Sequence, residues 1–446
     1  MTMSKSAAII LAAGLGTRMK STMPKVMHAL AGRPMVNHVI ANLQEAGVTE
    51  LVCVIGPDMP ALEKAVAPYK TAVQVDRLGT GHAVLAAKSA MDGFDGSVLI
   101  AFGDTPLIAP ETFSKMLTAA QDSDVVVLGF RPDDPAAYGR LVVDEDNHLQ
   151  AIVEFKDATD EQRAINLCNS GVMCVKGQKL FGLLEQISND NAAGEYYLTD
   201  IVALARKAGL DCSVVEGHED ELLGVNSRVE LAKAEGLVQS QLRVRAMVNG
   251  ATLMDPSSTH FSFDTVLGKD VVVEPNVFFG PGVRVGDNVV IKAFSHLEET
   301  TLGNGVVMGP YARLRPGADL KDNVKVGNFV EIKKALIEEG AKVNHLSYIG
   351  DARVGPNANI GAGTITCNYD GYFKYHTDIG AGAFIGSNTA LVAPVKIGDN
   401  ANVGAGSTIS KDVEGGDLSL TRAPQKNFSG WADKFRARRT EEKSKK

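Results

Sequence analysis

Two groups of residues have the types and spacing to do chemistry. The first follows the opening apolar run, as Leu11-Ala12-Ala13-Gly14-Leu15-Gly16-Thr17-Arg18-Met19, with Lys25 shortly after. Glycines in such a loop let backbone N–H groups approach phosphate oxygens, and Arg18 and Lys25 add two cations. The G-x-x-x-x-G-K-[ST] pattern is absent. Met19 stands where a dinucleotide fingerprint has its third glycine, so neither of those phosphate loops applies. Asp104 follows the apolar run Val98–Phe102 and Gly103. A carboxylate at the carboxyl end of a strand suits a hard cation such as Mg²⁺, which takes few protein ligands and shares phosphate oxygens. Leu78-Gly79-Thr80-Gly81-His82 is a second flexible loop, able to wrap a base or sugar. Taken singly, each feature also reads as a tight turn or a surface charge.

The second group lies far downstream. Tyr311-Ala312-Arg313-Leu314-Arg315-Pro316-Gly317 is followed by Lys333-Lys334, then by Asn344-His345-Leu346-Ser347-Tyr348 and Asn359, and by an insertion at Thr366–Thr377. Arg, Lys, His, Tyr and Asn gathered on a regular scaffold suit an anionic small molecule. Imidazole titrates near neutrality and can act as a base. A lone histidine is more often a surface or core residue; His345 stands out because cations recur at a regular spacing around it.

That spacing comes from the element that must position the second group. An aliphatic or aromatic residue returns every six positions at Leu267, Val273, Phe279, Val285, Ile291 and Leu297. After one five-residue step the series resumes at Leu302, Met308, Leu314, Leu320, Val326 and Ile332, and later runs Ile379, Ile385, Leu391, Ile397, Val403, Ile409. A period of six fits neither a helix nor one long strand. It fits a coil of short strands with corners, stacked along an axis. The first group is positioned differently. Ala7–Leu11, Leu51–Ile55, Val98–Phe102, Val125–Leu128 and Gly171–Val175 read as strands buried on both faces. Helical segments at Pro34–Ala46, Gly81–Ala90 and Pro110–Ala120 lie between several of them, which predicts a mostly parallel α/β sheet. Arg228–Val248 reads as a long joining helix, with Asn249-Gly250 suited to end it. The expected division is 1–227, 228–249 and 250–446. Lys434–Lys446, rich in Lys and Arg, reads as a frayed, solvated tail.

Composition narrows the class. A chain of 446 residues has room for two or three cores, and 45% hydrophobic with 22% charged residues is ordinary for a soluble protein. Net charge of −8 gives no reason to expect nucleic acid. No apolar run approaches transmembrane length, so no membrane insertion is expected. Five cysteines without a C-x-x-C motif argue for reduced thiols in a cytoplasm, with no zinc ribbon and no disulfide frame.

Together, L-A-A-G-x-G-T-R-M, Pro24-Lys25, L-G-T-G-H, G-D-x-P-L, Tyr138-Gly139-Arg140 and Gly194-Glu195-Tyr196-Tyr197-Leu198-Thr199-Asp200 resemble the sugar-1-phosphate nucleotidyltransferases. With the six-residue repeats attached, nearly the whole chain resembles the bacterial GlmU family. Its members are bifunctional N-acetylglucosamine-1-phosphate uridylyltransferases and glucosamine-1-phosphate N-acetyltransferases. The resemblance implies a Rossmann-like nucleotidyltransferase domain followed by a left-handed parallel β-helix, assembled as a cytoplasmic homotrimer. It implies Leu11, Ala12, Ala13, Gly14 and Lys25 on the nucleotide phosphates, and Gln74, Gly79 and Thr80 on the uracil. Gly139, Glu154 and Asn169 fall on the acetylated sugar, and Asp104 and Asn226 on Mg²⁺. Phe102 and Gly103 precede the metal ligand; the family often has Tyr at the former, so a hydroxyl is missing. In the repeats it implies His345 as base, and Arg315, Lys333, Tyr348, Asn359 and Lys374 on the acceptor. Ala362, Asn368, Tyr369, Ser387, Ala405 and Arg422 fall on acetyl-CoA.

Those implications fit the residue types. A sugar-phosphate oxygen attacking the α-phosphorus of UTP is already an anion and needs no base, so positioning and neutralisation by Mg²⁺, Arg18 and Lys25 suffice. Acetyl transfer from a thioester to an amine needs a base, which His345 supplies. The product, UDP-N-acetylglucosamine, serves peptidoglycan and lipopolysaccharide synthesis. Two other readings stay open here: a single-activity nucleotidyltransferase with a structural or regulatory β-helix, and a scaffold that binds sugar nucleotides without turnover.

Overall fold

The computed structural model describes residues 5–135, 138–146, 148–191 and 194–445. The chain divides into two compact units, Met1–Leu242 and Arg243–Lys446. The division falls inside a helix at Arg228–Val248, whose bounds are those the sequence predicts.

The first unit is an α/β sheet. Its strands run in the order Cys212–Glu216, Val125–Phe130, Cys168–Lys176, Ser97–Phe102, Ser6–Leu11, Glu50–Ile55, Lys70–Val73, with a hairpin of Arg140–Val143 and Leu149–Val153 beside it. Cys168–Lys176 is antiparallel to both neighbours, and the other strands on this path pair in parallel. Alternation explains the continuous apolar runs. Ala7 and Ile9 point into one core with Val84, Leu180 and Ile201, while Ala8 and Ile10 point into another with Val39, Leu43 and Phe113. Helices therefore cover both faces, and the strands must be apolar on both. The segment expected as one helix over Gly81–Ala90 is instead a helix at Thr80–Ala86 and a 3₁₀ turn at Lys88–Met91.

The second unit is a left-handed β-helix of parallel two- to seven-residue strands. Each strand pairs with one a coil further on. Val273 aligns with Ile291 and Ile291 with Met308; Phe279 aligns with Leu297 and Leu297 with Leu314. The six-residue positions point inward and are buried, except for Leu267 in the first coil, which is half-buried. Between Ile332 and Ile379 the inward series continues as Ile337, Val343, Ile349, Val354, Ile360 and Thr366. Thr366 keeps its polarity there because its hydroxyl accepts from Gly350 N at 2.8 Å.

The tail departs from expectation. Trp431–Ser444 forms a helix with no fully buried residue. Ion pairs within one turn hold it, among them Arg436–Asp433, Arg439–Glu442 and Lys445–Glu441. Lys446 lies outside the described residues.

Candidate active sites

In the first unit, loops at the carboxyl ends of parallel strands enclose a cleft of about 270 Å³. Of the residues singled out in the sequence, Leu11 to Gly14, Lys25, Gln74, Gly79, Thr80, Phe102 and Asp104 line it. Backbone bonds fix these loops to the sheet. Ala12 N donates to Val54 O at 2.8 Å, and Gly103 N to Leu11 O at 2.9 Å. Gln74 Nε2 donates to Gly79 O at 3.1 Å. Gly79 has φ +109°, and a Cβ there would lie 2.6 Å from Tyr196 O. Only glycine lets the Leu78–His82 loop press against Glu195–Leu198, where Gly81 N and Thr80 Oγ1 complete the seam. Two stretches over a hundred residues apart are thus one wall.

Lys25 is the centre of the cleft. Its ammonium pairs with the Asp104 carboxylate and donates to Asn226 Oδ1 at 2.9 Å. One carboxylate oxygen and one amide oxygen therefore converge on the same point. Val225 N donates to Asp104 O at 2.9 Å, which locks the two loops together. These are hard donors in the number that Mg²⁺ takes from protein when phosphates supply the rest. Among the described residues there is no cluster of three or more His, Cys, Asp or Glu side chains able to hold a metal.

Gly139, Glu154 and Asn169 form a neighbouring cluster. Asn169 N donates to Gly139 O at 2.9 Å, and the Glu154 carboxylate flanks Gly139. Burial, reinforced by Asp157 and Asp200, pushes the Glu154 carboxyl up from its ordinary value. Phe102 reaches this cluster through Gly171, against which its ring packs. Arg18, exposed on the turn Thr17–Met19, is not among the cleft-lining residues. Arg77 and Glu195 do line the cleft but were not singled out for it in the sequence. Arg77 Nε donates to Ala13 O at 2.8 Å, so it props the glycine loop from behind; its signal was its place three residues after Gln74.

In the β-helix, register places the second group in columns. Asn328 pairs with His345, Val343 with Ile360, Ile360 with Ile385 and Ile385 with Val403. Counting two residues on from these partners puts Asn328, His345, Ala362, Ser387 and Ala405 at one corner of five successive coils. Arg422 Nη1 donates to Ala405 O at 2.5 Å and so joins the same column. Asn359, paired with Lys342, lies on the strand leading to this corner.

His345 is exposed rather than packed in the interior, and its Nδ1 lies 2.7 Å from Asn328 Oδ1. Ser347 Oγ donates to His345 O at 2.8 Å. The next face carries the cations. Leu314 pairs with Ile332, which puts Arg315 directly below Lys333. Lys374, on the inserted loop, contacts Lys333; this ammonium, then burial and Arg315, hold Lys333 below the ordinary lysine range. Arg315 Nη1 donates to Glu331 Oε1 at 2.9 Å, and that carboxylate raises the guanidinium further. Tyr348 lies beside the cations, with Asn368 Nδ2 3.5 Å from its hydroxyl and 2.5 Å from Asp351 Oδ2. A Cβ at position 350 would collide with the Tyr348 hydroxyl, so Gly350 makes room for it. The inserted loop carries Asn368, Tyr369 and Lys374, and Asp370 caps its turn by accepting from Tyr372 N and Phe373 N. Asn328 escaped the sequence reading, although it sits 17 residues before His345, one coil's length.

Comparison with known proteins agrees with both halves. Residues 8–172 match the MobA-like NTP transferase domain, and residues 264–298 and 376–411 match the bacterial transferase hexapeptide (six repeats). The Bifunctional protein GlmU of Paramagnetospirillum magneticum is 59% identical over 449 aligned residues, covering 100% of each chain. That of Rhodospirillum rubrum is 62% identical over 438 residues, with 98% of each chain covered, and that of Azorhizobium caulinodans 53% identical with 97% covered. With such identity sustained from end to end across both units, the chain belongs to the GlmU family of bifunctional proteins.

Proposed function

We infer that this chain carries out two successive reactions at two separate sites. Acetyl-CoA acetylates glucosamine-1-phosphate in the β-helix. The resulting N-acetylglucosamine-1-phosphate then displaces pyrophosphate from UTP in the α/β unit. The observation that carries this reading is the presence of two constellations of cationic and polar side chains in separate compact units: Lys25 with Asp104 and Asn226, and His345 beside the Arg315–Lys333–Lys374 cations.

In the acetyl transfer, the acceptor phosphate rests on Arg315, Lys333 and Lys374, with Tyr348 and Asn359 orienting the sugar. The amine nitrogen attacks the thioester carbonyl, and His345 takes the proton that this nitrogen sheds. The C–S bond breaks, and the thiolate leaves to become CoA as it is protonated. Ala362, Ser387 and Ala405 fix the acetyl-CoA along the corner column, with Asn368, Tyr369 and Arg422 flanking it.

In the uridylyl transfer, Leu11 to Gly14 and Lys25 hold the triphosphate, Gln74, Gly79 and Thr80 the uracil, and Gly139, Glu154 and Asn169 the acetylated sugar. A sugar-phosphate oxygen bonds to the α-phosphorus while the bond to the β-phosphate oxygen breaks, and no proton need move. Asp104 and Asn226 would hold Mg²⁺, which would supply charge neutralisation for the reacting phosphates. Arg18, exposed just beyond the glycine loop, supplies a second cation for the outer phosphates in this reading.

A trimer is the assembly this reading favours. Phe294, Tyr311 and Phe329 stack outside the column at 4.9 and 5.2 Å, about half exposed, with left-handed φ at each. Bulky residues in that conformation are strained, and an exposed aromatic ladder gains most when covered by another copy. Free cysteines, four buried and Cys367 half-buried, fit a cytoplasmic enzyme.

The test is to supply substrates in pairs. Acetyl-CoA with glucosamine-1-phosphate should release CoA, and UTP with N-acetylglucosamine-1-phosphate should release pyrophosphate only with Mg²⁺ present. Release of pyrophosphate without any CoA-forming activity would favour the single-activity reading instead.

A further inference from the structure

We propose that Asn328 is a positioning residue for the acetyl transfer, holding His345 in the tautomer that makes it a base. The proposal rests on the reading of His345 as the proton acceptor. Neutral imidazole carries one N–H, and whichever nitrogen donates leaves the other with a free lone pair. Asn328 Oδ1 lies 2.7 Å from His345 Nδ1, and an amide oxygen can only accept. Nδ1 must therefore carry the hydrogen, and Nε2 presents its lone pair outward, where the amine sheds its proton.

Placement by the coils makes this contact rigid. Asn328 and His345 are register partners one coil apart, so their backbones are fixed parallel to each other. Leu346 N donates to Asn328 O at 3.1 Å, and Ser347 Oγ donates to His345 O, so both flanks of the histidine are held. Two torsions remain to the imidazole, and the Asn328 oxygen sets them. The same corner carries Ala362 one coil on, so orienting the ring aims Nε2 relative to the acetyl-CoA column.

Three full-length variants test it: Asn328→Leu, Asn328→Asp and His345→Ala. Leu has a similar size but no acceptor; Asp keeps an acceptor oxygen at the same reach. Asn328→Leu should lower kcat for acetyl transfer on the order of 10–100-fold, the range for losing a group that orients a reactive side chain. KM for both substrates and the rate of uridylyl transfer should stay unchanged. Asn328→Asp should stay within about threefold of the parent, because a carboxylate also accepts from Nδ1–H. An Asp variant as impaired as the Leu variant, or a Leu variant with the parent's kcat, would overturn the proposal. The His345→Ala variant separates the failures: if it retains acetyl transfer, the reading of His345 as base is wrong, whereas its inactivity beside a fully active Asn328→Leu removes only the role of Asn328. Thermal unfolding of each variant checks that the coils remain folded, and Asn328→Ser supplies a smaller acceptor should Asn328→Leu fail to fold.

Discussion

The two units gather their clusters of polar side chains by opposite routes. In the α/β unit, Lys25, Asp104 and Asn226 come from loops separated by 79 and 201 positions from Lys25, and they meet because strand ends converge. In the β-helix, Arg315 and Lys333, or Asn328 and His345, meet because they are one coil apart. The first site depends on the tertiary fold of a whole unit. The second depends on local stacking, in which each coil touches only its neighbours. Damage to one should leave the other working.

The sharpest break in that comparison is His345→Ala. Loss of a general base costs about 10²–10⁴-fold, so acetyl transfer should fall by that factor in a CoA-release assay while pyrophosphate release stays at the parental rate. Asp104→Ala should do the converse, lowering uridylyl transfer about 10²–10³-fold, as for the loss of one preorganised charge stabiliser. On the proposed reading, Arg315→Ala would remove a charge-assisted contact to the acceptor phosphate, worth about 1.5–3 kcal/mol. It should raise KM for glucosamine-1-phosphate on the order of tenfold to a hundredfold and leave KM for UTP alone.

Gly79→Ala tests the dependence of the first site on its scaffold. Its left-handed φ and the contact with Tyr196 should cost about 1–3 kcal/mol, seen as a lower unfolding temperature of the α/β unit and weaker UTP binding, with acetyl transfer intact. The smallest effect concerns pH. Lys374 beside Lys333 holds that ammonium below its ordinary value, so Lys333 loses its proton earlier as pH rises. KM for glucosamine-1-phosphate should therefore climb on the alkaline side, and Lys374→Met, by relieving the repulsion, should move that climb to higher pH.

How much of this was legible in the sequence differs between the halves for a physical reason. Six-residue periodicity survives in sequence because burial repeats at each flat face, so Val285, Leu302 and Leu320 announce one column. It slips between Ile332 and Ile379 because the steps Ile332 to Ile337 and Ile349 to Val354 are five residues long, Thr366 takes an inward position and a loop is inserted after it. The columns that build the second site could be counted, and Asn328 lay one count back from His345. In the α/β unit the motifs were visible but not their joinery. Nothing in the sequence of Gln74 says that its amide grips Gly79 O, nor in Arg77 that it props Ala13. Such contacts depend on where strands end in space. The helix at Trp431–Ser444 was missed because it has charged residues on all sides, and its i,i+3 and i,i+4 pairs carry little apolar signal.

The claim at the centre is that one chain holds two independent sites linked by a diffusible intermediate. The direct test mixes the His345→Ala and Asp104→Ala proteins with glucosamine-1-phosphate, acetyl-CoA, UTP and Mg²⁺. Neither variant alone should form UDP-N-acetylglucosamine at an appreciable rate, and the mixture should form it after a lag in which the acetylated sugar phosphate accumulates. A mixture of the two folded proteins that forms no product would contradict the account.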